Sequence, residues 1–356
     1  MKYTLSRILR EGGNVLGAWR SILFGGTHSR PISINLLVTD RCNSQCVTCD
    51  IWKNDVKKKD LLTVEHFRAL AEEFEKMGVM RVTIGGGEPL LRKDLLDIIQ
   101  TFGSRGIVVQ MTSHGLLCDR KTLDALWKAG LNTLTFSLDG HTSELYKKIR
   151  GVDWFQRVQE NLRLAVTTKP AGRFVETNTV ILSENIDSIV DILDFARSMG
   201  VDGVNISPIG VSIESNLLTA SKENLFPHQD KAQLLVDKLL AMKRKDKKIR
   251  GSEAFLKGMS SYFSDPTRVA FPCYAGFVSA DIYDNGDVRG CGSIPAVGNI
   301  FQNSFTEIWN GETAQHQRID MQHGRCPGCY VSCKIEPALL LNPKHTVKMA
   351  VDRIRP

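Results

Sequence analysis

The sequence predicts an α/β fold: a partial (β/α)6 barrel of the TIM type followed by a small cysteine-rich extension. Three observations lead to this prediction. Short apolar runs alternate with helical patterns six times between residues 32 and 210, glycines stand where helices would end, and five of the nine cysteines follow residue 272. Such alternation is typical of a parallel sheet with helices outside it. Chemistry in such barrels gathers at the C-terminal ends of the strands.

The individual elements follow from the periodicity of apolar residues. Strands are predicted over residues 33–38, 80–84, 106–111, 132–137, 174–181 and 203–206. Helices are predicted over residues 64–77, 93–102, 121–128, 158–166 and 185–199. Gly78, Gly130 and Gly200 each stand where a left-handed C-terminal cap would fall, which supports the helix ends.

The composition indicates a globular cytoplasmic protein. The chain has 356 residues, 42% apolar and 24% charged, enough for one large domain and a smaller one. We identify neither a membrane-spanning apolar run nor a signal peptide. The nine cysteines are odd in number and clustered, as metal ligands in a reducing compartment are. The net charge of +7 arises largely at residues 57–59 and 243–248 without interleaved aromatics, so no nucleic-acid partner is expected.

The N-terminal extension, residues 1–31, has an amphipathic helical pattern with arginines between its apolar positions. These positions are Leu5, Ile8, Leu9, Val15, Leu16, Trp19, Ile22 and Leu23. Gly12-Gly13 is expected to break the pattern into two helices. Two interpretations stay open: a helical pair packed over the open end of the barrel, or peripheral contact of residues 3–24 with an anionic membrane or a lipid-like substrate.

Three cysteines, Cys42, Cys46 and Cys49, form a C-x3-C-x2-C loop directly after the first predicted strand. Three thiolates on one loop can bind a metal centre, but they supply only three of the four ligands that a four-coordinate metal ion needs. A structural zinc would take a fourth Cys or His close by, and none follows before His66. A cubane iron–sulfur cluster with three thiolates and one open iron fits the pattern better.

This cysteine spacing resembles that of the radical S-adenosylmethionine (SAM) superfamily, and the turns after later strands add to the resemblance. Residues 85–89 read GGGEP and occupy the position of the family's GGEP motif. Residues 112–115, TSHG, resemble the small polar turn after the third strand, and residues 137–140, SLDG, resemble the Ser-x-Asp-Gly turn after the fourth. The resemblance covers residues 32–210.

The resemblance implies a set of SAM contacts. The glycines and Glu88 of the GGEP-like turn would receive the SAM amino group, and Arg150 would pair with the SAM carboxylate, a contact suited to a guanidinium. Asn178 would contact the ribose, and Ile206 would flank the adenine. The implied SAM-binding residues are Gly86, Gly87, Glu88, Ser113, Ser137, Asp139, Arg150, Asn178 and Ile206.

The second group of cysteines begins with a predicted hairpin. Residues 278–283 and 288–289 alternate on either side of an Asn-Gly turn, a strong hairpin signal that would bring Cys273 and Cys291 together. Cys326, Cys329 and Cys333 follow as C-x2-C-x3-C. The five thiols suffice for one tetrahedral centre with one to spare, and zinc stays open because tetrathiolate zinc and four-thiolate cubanes share their ligand type.

The placement of this region resembles the SPASM and shorter twitch extensions, which hold auxiliary [4Fe–4S] clusters. Five cysteines favour one auxiliary cluster, with Cys273, Cys291, Cys326 and Cys329 as ligands and Cys333 as an alternative ligand or a nearby free thiol. The resemblance divides the chain into a barrel at 32–210, a connecting segment at 211–272, a SPASM/twitch-like extension at 273–336 and a tail at 337–356. The spacing also resembles that of an aminocyclitol dehydrogenase, which oxidises an alcohol to a ketone.

Two further residues are weak catalytic candidates. Cys118 is a candidate hydrogen-atom donor, although a small buried residue is the favoured interpretation. His114 is a candidate general base, but its position in the motif favours a turn residue beside SAM.

The resemblance implies that a reduced [4Fe–4S] cluster cleaves SAM to a 5′-deoxyadenosyl radical, which abstracts hydrogen from a C–H bond. A flavodoxin or ferredoxin would supply the electron, and the auxiliary [4Fe–4S] cluster would accept the electron left on the substrate. The short extension before Ile32 favours a small molecule, a sugar or cyclitol, or a lipid-linked substrate over a ribosomal peptide. Epimerisation, carbon–carbon or thioether bond formation, and a non-catalytic zinc-binding scaffold are the alternatives.

Overall fold

A computed structural model describes residues 5–26, 28–54, 61–210, 223–266 and 272–342 of the protein. Within these ranges strand and helix alternate as predicted, and all six predicted barrel strands form. The strands are β1 Ser33–Thr39, β2 Arg81–Gly86, β3 Val108–Ser113, β4 Thr133–Ser137, β5 Phe174–Ile181, β6 Gly203–Pro208, β7 Ser279–Tyr283, β8 Asp287–Arg289 and β9 Gly298–Asn299. The helices are α1 Leu5–Phe24, α2 Val64–Met77, α3 Leu95–Gly103, α4 Arg120–Ala129, α5 Ser143–Arg150, α6 Phe155–Thr168, α7 Ile189–Ser198, α8 Gln229–Lys245, α9 Glu253–Ser264, α10 Phe305–Asn310, α11 Glu312–Gln322 and α12 Ser332–Leu340.

A single sheet organises the fold, with the strand order β6-β5-β4-β3-β2-β1-β7-β8-β9. Strands β1 to β6 pair in parallel, and β7 pairs in parallel with the other side of β1. Strands β8 and β9 continue the sheet in antiparallel fashion. The parallel strands therefore place their C-terminal ends at one edge of the barrel, which is where the site is expected.

The two faces of the parallel strands differ in polarity. Ile34, Leu36 and Val38 of β1 belong to the main hydrophobic core together with residues of α2 and α3. Alternate residues point to the opposite, inner face of the curved sheet. Much of that face is polar, and its polar side chains include Asn35, Thr83, Gln110, Thr135, Glu176, Asn178, Asn205, Ser207 and Asp281. The barrel therefore has an apolar outer face and a hydrogen-bonding interior.

The N-terminal helix α1 is continuous, so the predicted break at Gly12-Gly13 is wrong. A glycine inside a helix costs about 1 kcal/mol relative to alanine. Here the next turns of the helix bury Ala18 and pack Trp19 in a cluster with Phe277. This packing stabilises the helical conformation that the glycine pair disfavours locally.

The predicted hairpin is confirmed: β7 and β8 pair in antiparallel fashion, and Gly286 in the turn between them has a φ of 83°. Its location was not evident from the sequence. Strand β7 is the seventh parallel strand of the barrel sheet, and its residue Asp281 pairs in register with Asn35 of β1. The C-terminal cysteine region is therefore joined to the barrel by backbone hydrogen bonds.

Helix α12 lies across the open side of the barrel, between the edge strand β6 and β7. The Ser332 Oγ atom lies 3.3 Å from Ser207 Oγ of β6. Two residues further along the chain, Lys334 Nζ lies 2.7 Å from Asp281 Oδ1 of β7. Since both strand residues belong to the inner face, the start of α12 closes the gap that the partial barrel leaves.

Several predicted segments lie partly or wholly outside the described residues. They include the basic run at residues 57–59, residues 211–222 and 267–271 of the connecting segment, and the tail from residue 343 onward. The described part of the connecting segment forms α8 and α9, which pack against the core through residues such as Leu239 and Phe255.

Candidate active site

The loop that carries Cys42, Cys46 and Cys49 follows β1 and is held by the end of α5. Gln45 N donates to Arg150 O over 3.1 Å, and Val47 N donates to Ile149 O over 3.0 Å. All three cysteines of the loop are partly exposed. The last carbonyls of a helix have no partner within the helix. The cysteine loop supplies amide donors to the carbonyls of Ile149 and Arg150, and this docking fixes the position of the thiols.

The chemistry of these thiols fits a cluster ligand set. Burial raises the pKa of Cys42 to about 11, and the nearby charges of Cys46 and Glu88 act in the same direction. A bound cationic centre would therefore favour the thiolate form of Cys42 at neutral pH. Within the described ranges, no three Cys, His, Asp or Glu side chains converge on a single metal-ion position. In a [4Fe–4S] cluster, by contrast, each iron takes its own thiolate.

The GGEP-like turn after β2 fits closely under the cysteine loop. Gly87 N donates to Thr39 O over 2.7 Å, and Glu88 N donates to Arg41 O over 2.8 Å. A Cβ atom added to Gly87 would lie 2.1 Å from Arg41 O, and Gly86 has a φ of 115°. The two glycines are therefore required for the backbone approach that supports the loop.

The Glu88 carboxylate is buried, with 1% of its surface exposed, and joins the ends of β2 and β3. Its Oε1 atom accepts from Ser113 Oγ over 2.8 Å, and its Oε2 atom accepts from His114 N over 2.9 Å. Burial raises the pKa of this carboxyl to about 7, although these hydrogen bonds act in the opposite direction. A cationic amino group beside Glu88 would stabilise its ionised form, which fits the predicted role toward the SAM amino group.

His114 lies between Glu88 and the cysteine loop. Leu116 N donates to His114 Nδ1 over 3.1 Å, so Nδ1 is an acceptor and the neutral ring carries its proton on Nε2. That Nε2 atom lies 2.8 Å from Asn43 Oδ1, directly beside Cys42. Burial lowers the pKa of His114 to about 3, so the ring is neutral near pH 7. Both ring nitrogens have partners, and the histidine connects the third strand to the cysteine loop.

Arg150 and Asp139 form an ion pair beside the same loop. The Arg150 Nε atom lies 2.8 Å from Asp139 Oδ2, with 12% and 3% of the two side chains exposed. Arg150 Nη1 also lies 3.5 Å from Cys46 Sγ. Ser137 and Asn178 pair in register on β4 and β5 and lie on the inner face. The structure thus brings the predicted carboxylate-binding and ribose-binding residues to the barrel edge that carries the cysteines.

We expect Arg150→Met to lower the free energy of unfolding by about 3–5 kcal/mol, because it leaves the buried Asp139 charge without its counter-ion. Urea unfolding of the apo-protein measures this change. The matched control is Arg157→Met, which removes an exposed arginine 3.5 Å from Glu160 and should cost at most about 1 kcal/mol. Equal losses in the two variants would contradict the expectation.

Two of the predicted residues face away from the interior. Cys118 is fully buried in the hydrophobic core, its Sγ atom lies 4.0 Å from Ser113 Oγ, and burial raises its pKa. The Ile206 side chain is 3% exposed in the same core, and its neighbours Asn205 and Ser207 occupy the inner face. The position of Cys118 does not support hydrogen donation, and the position of Ile206 does not support an adenine contact. Both roles stay predictions.

The four cysteines proposed as auxiliary ligands line one cavity beside α12. Cys273, Cys291, Cys326 and Cys329 face it together with the apolar residues Ile294, Met321 and Ile335. Cys333, at the start of α12, is exposed and does not line this cavity. The hairpin and the C-terminal turn thus bring four thiols together, and this arrangement favours Cys333 as the spare thiol.

The pKa values of these thiols reflect their proximity. A hydrogen bond with Cys329 lowers the pKa of Cys291, and the same contact raises the pKa of Cys329. Burial raises the pKa of Cys273 to about 12. Neighbouring thiols in an apolar cavity match the chemistry of a site that ionises when it takes up a cationic metal centre.

Sequence reasoning missed two residues next to this cavity, Lys334 and Asp281. Lys334 follows Cys333 directly in the chain, and its side chain is 2% exposed. Asp281 accepts from Asn35 Nδ2 over 2.6 Å as well as from the lysine. The signal in the sequence was a charged residue, Asp281, within the first predicted strand of the hairpin.

Two family models match the chain. The model of the radical SAM superfamily matches residues 36–196, and the model of SPASM, an iron–sulfur cluster-binding domain, matches residues 273–334. The two matched ranges contain all eight cysteines that were predicted to be metal ligands.

The curated relatives include proteins named as GTP 3′,8-cyclases. The probable enzyme of Methanocaldococcus jannaschii is 33% identical over 169 residues, 47% of this chain and 56% of the relative. The enzyme of Aquifex aeolicus is 34% identical over 180 residues, 49% of this chain and 55% of the relative. The chain therefore spans about half the length of the curated relatives that it matches.

Solved structures with the same fold cover more of the chain. Streptococcus suis SuiB bound to the precursor peptide SuiA has a TM-score of 0.64 at 16% identity, covering 81% of this chain and 66% of SuiB. Native anSMEcpe with bound AdoMet has a TM-score of 0.62 at 15% identity, covering 82% and 84%. The matched domains imply [4Fe–4S] clusters and SAM as cofactors. The chain therefore contains a radical SAM domain and a SPASM iron–sulfur cluster-binding domain that is joined to its barrel.

Proposed function

We propose that this protein is a radical SAM oxidoreductase that removes two hydrogen atoms from a polar small molecule, with a sugar, a cyclitol or the polar head of a lipid-linked molecule as the substrate class. The observation that supports this proposal is the polar inner face of the barrel. Amide and hydroxyl groups of Asn35, Gln110, Thr135 and Asn205 lie on that face. A substrate with several hydroxyl groups can form hydrogen bonds with such a surface, whereas a bare hydrocarbon cannot.

We infer that Cys42, Cys46 and Cys49 hold the cluster that supplies the electron for SAM cleavage, and that the four cavity cysteines hold a second cluster that accepts the electron left on the substrate. Glu88, Arg150 and Asp139 would bind and orient the amino and carboxylate groups of SAM. A flavodoxin or ferredoxin is the proposed electron donor. SAM contacts at Gly86, Gly87, Ser113, Ser137 and Asn178 complete the proposed site.

The proposal is tested with anaerobically reconstituted protein. We expect about eight iron atoms per chain and formation of 5′-deoxyadenosine after reduction with dithionite. A panel of aminocyclitols, hexosamines, GTP and short peptides should show loss of two hydrogens only from a cyclitol or sugar. Zinc without iron would support the scaffold alternative. A cyclised GTP or a modified peptide would contradict the proposed substrate class.

The N-terminal helix supports a further proposal, contact with an anionic membrane surface. Leu16, Leu23 and Phe24 on one side of α1 are 71%, 66% and 82% exposed, and the exposed Arg20 lies between them. The opposite side of the helix packs on the barrel. Among the described residues, no helix has the length and apolarity needed to cross a bilayer. An apolar stripe with a basic residue matches the chemistry of helices that lie in the membrane interface.

The helix α1 lies at the N-terminal ends of the strands, opposite the cysteine loop. Asn14 Nδ2 donates to Gly78 O just before β2, over 3.1 Å. Ala18 packs in a cluster with Val278, just before β7. A membrane bound to α1 would therefore leave the edge with Cys42, Cys46 and Cys49 free for the electron donor.

We expect the protein to sediment with vesicles of phosphatidylcholine and phosphatidylglycerol, and less with phosphatidylcholine alone. The double substitution of Leu23→Asp and Phe24→Asp should weaken this binding at least about tenfold, because it removes two apolar side chains from the interface. Leu234→Asp on α8 is the control, since that leucine is 62% exposed on another element. Equal sedimentation of the double variant and the parent would refute the proposal.

A further inference from the structure

A buried ion pair separates the barrel interior from the auxiliary cysteine cavity. Lys334 Nζ lies 2.7 Å from Asp281 Oδ1, with 2% and 7% of the two side chains exposed. Lys334 Nζ also lies 3.5 Å from Ser279 Oγ, and Asp281 also accepts a hydrogen bond from Asn35 Nδ2. A buried pair of this kind is weak evidence for stability, because the cost of desolvating both charges offsets their attraction. Its position therefore matters more than its strength.

The cationic end of the pair belongs to α12, the helix whose residue Ile335 lines the cysteine cavity. The Lys334 charge favours the thiolate at both Cys273 and Cys291, and at Cys291 it acts more strongly than Asp281, which acts in the opposite direction. Helix α12 produces this placement, because Ile335 lines the cysteine cavity while the preceding Lys334 turns to β7. The anionic end lies on the inner face, hydrogen-bonded to β1.

We propose that Lys334 is a positioning residue that raises the reduction potential of the auxiliary centre held by Cys273, Cys291, Cys326 and Cys329. The physical reason is electrostatic. A fixed positive charge beside a cluster stabilises its reduced form, which carries one more negative charge, and low exposure keeps that field from being screened by solvent. Asp281 holds the ammonium in place, and at Cys291 the effect of the ammonium exceeds that of the carboxylate.

This inference rests on the proposed function, because it requires an iron–sulfur centre in the auxiliary cavity. Such a centre takes one electron from the substrate, and a higher potential makes that transfer more favourable. No step in the inference requires Lys334 or Asp281 to change its protonation state. The pair also explains why a charged aspartate lies in the middle of β7.

The test is a redox titration followed by electron paramagnetic resonance, on full-length anaerobically reconstituted protein. The background carries Cys42→Ala, Cys46→Ala and Cys49→Ala, so that only the auxiliary centre contributes to the signal. We expect Lys334→Met to shift the midpoint potential to a more negative value and Lys334→Arg to leave it near that of the parent. Asp281→Asn should shift it in the opposite direction, because it removes the compensating negative charge.

Shifts of the midpoint potential in opposite directions for Lys334→Met and Asp281→Asn distinguish a charge effect from a general loosening of the fold. Lys257→Met on α9 is the control, since its Nζ lies 3.8 Å from Glu253 at an exposed position. The inference is overturned if the Met and Asn variants shift in the same direction or not at all, or if both lose their iron while the Arg variant keeps it. Absence of iron in the auxiliary site of the parent would instead contradict the proposed function.

Discussion

Cys42→Ala is expected to abolish the formation of 5′-deoxyadenosine from SAM, whereas Cys291→Ala should leave that cleavage intact and stop only the conversion of substrate. The two cysteines belong to separate groups on different parts of the sheet. The first group lies beside Glu88, Arg150 and Asp139, the residues proposed to bind SAM. Removing one of only three protein ligands leaves two of four irons without a thiolate, so we expect loss of the cluster.

The measurement is anaerobic incubation with dithionite and SAM, with chromatographic quantification of 5′-deoxyadenosine. Cys118→Ala is the matched control, because it removes a thiol that lies in the hydrophobic core. If Cys42→Ala cleaved SAM at the parent rate, the assignment of the first cluster would be wrong. If Cys291→Ala lost SAM cleavage while keeping a folded barrel, the two centres would not be functionally separate.

Gly87→Ala is expected to prevent assembly of the first cluster, at a cost to stability of at least about 1–3 kcal/mol. The added methyl group would lie 2.1 Å from Arg41 O and 3.1 Å from Arg41 N, both of which are backbone atoms that have no rotamer to adopt. The cysteine loop would therefore have to move. We expect at least a tenfold loss of SAM-cleaving activity, measured together with iron content and the melting temperature.

The neighbouring Gly85→Ala supplies the control. It makes the same chemical change two residues earlier, yet no atom lies within 4 Å of its added Cβ. We expect it to retain iron and activity near those of the parent. Equal behaviour of the two variants would show that the close approach at Gly87 does not support the loop.

The elements of the barrel were predictable because each follows from local periodicity. All six barrel strands and the helical segments between them appear near their predicted positions. The helix α5 was not predicted. It is short and strongly charged, and its stability comes from Tyr146 and Ile149, which are fully buried against the core. Tertiary packing of this kind is not visible in a single stretch of sequence.

The parts of the candidate site that consist of short sequence motifs were predictable. The cysteine loop, the GGEP-like turn and the pairing of Cys273 with Cys291 in one cavity depend on residues close in the chain or joined by a hairpin. The partners of these motifs were not predictable. His114 reaches Asn43, and Arg150 reaches Asp139, across loops whose relative positions only the folded barrel sets.

The sequence by itself determined the class of chemistry, because ligand type and spacing within one loop decide which metal centre the loop suits, and period-two and helical patterns decide the layers of the fold. Only the tertiary structure decided how the two cysteine regions meet. Strand β7 joins β1 by backbone hydrogen bonds, which do not depend on the identity of the side chains. This pairing places Asp281 beside Asn35 and within reach of Lys334. Contacts between residues far apart in the chain depend on how strands order themselves in the sheet, which local patterns do not specify.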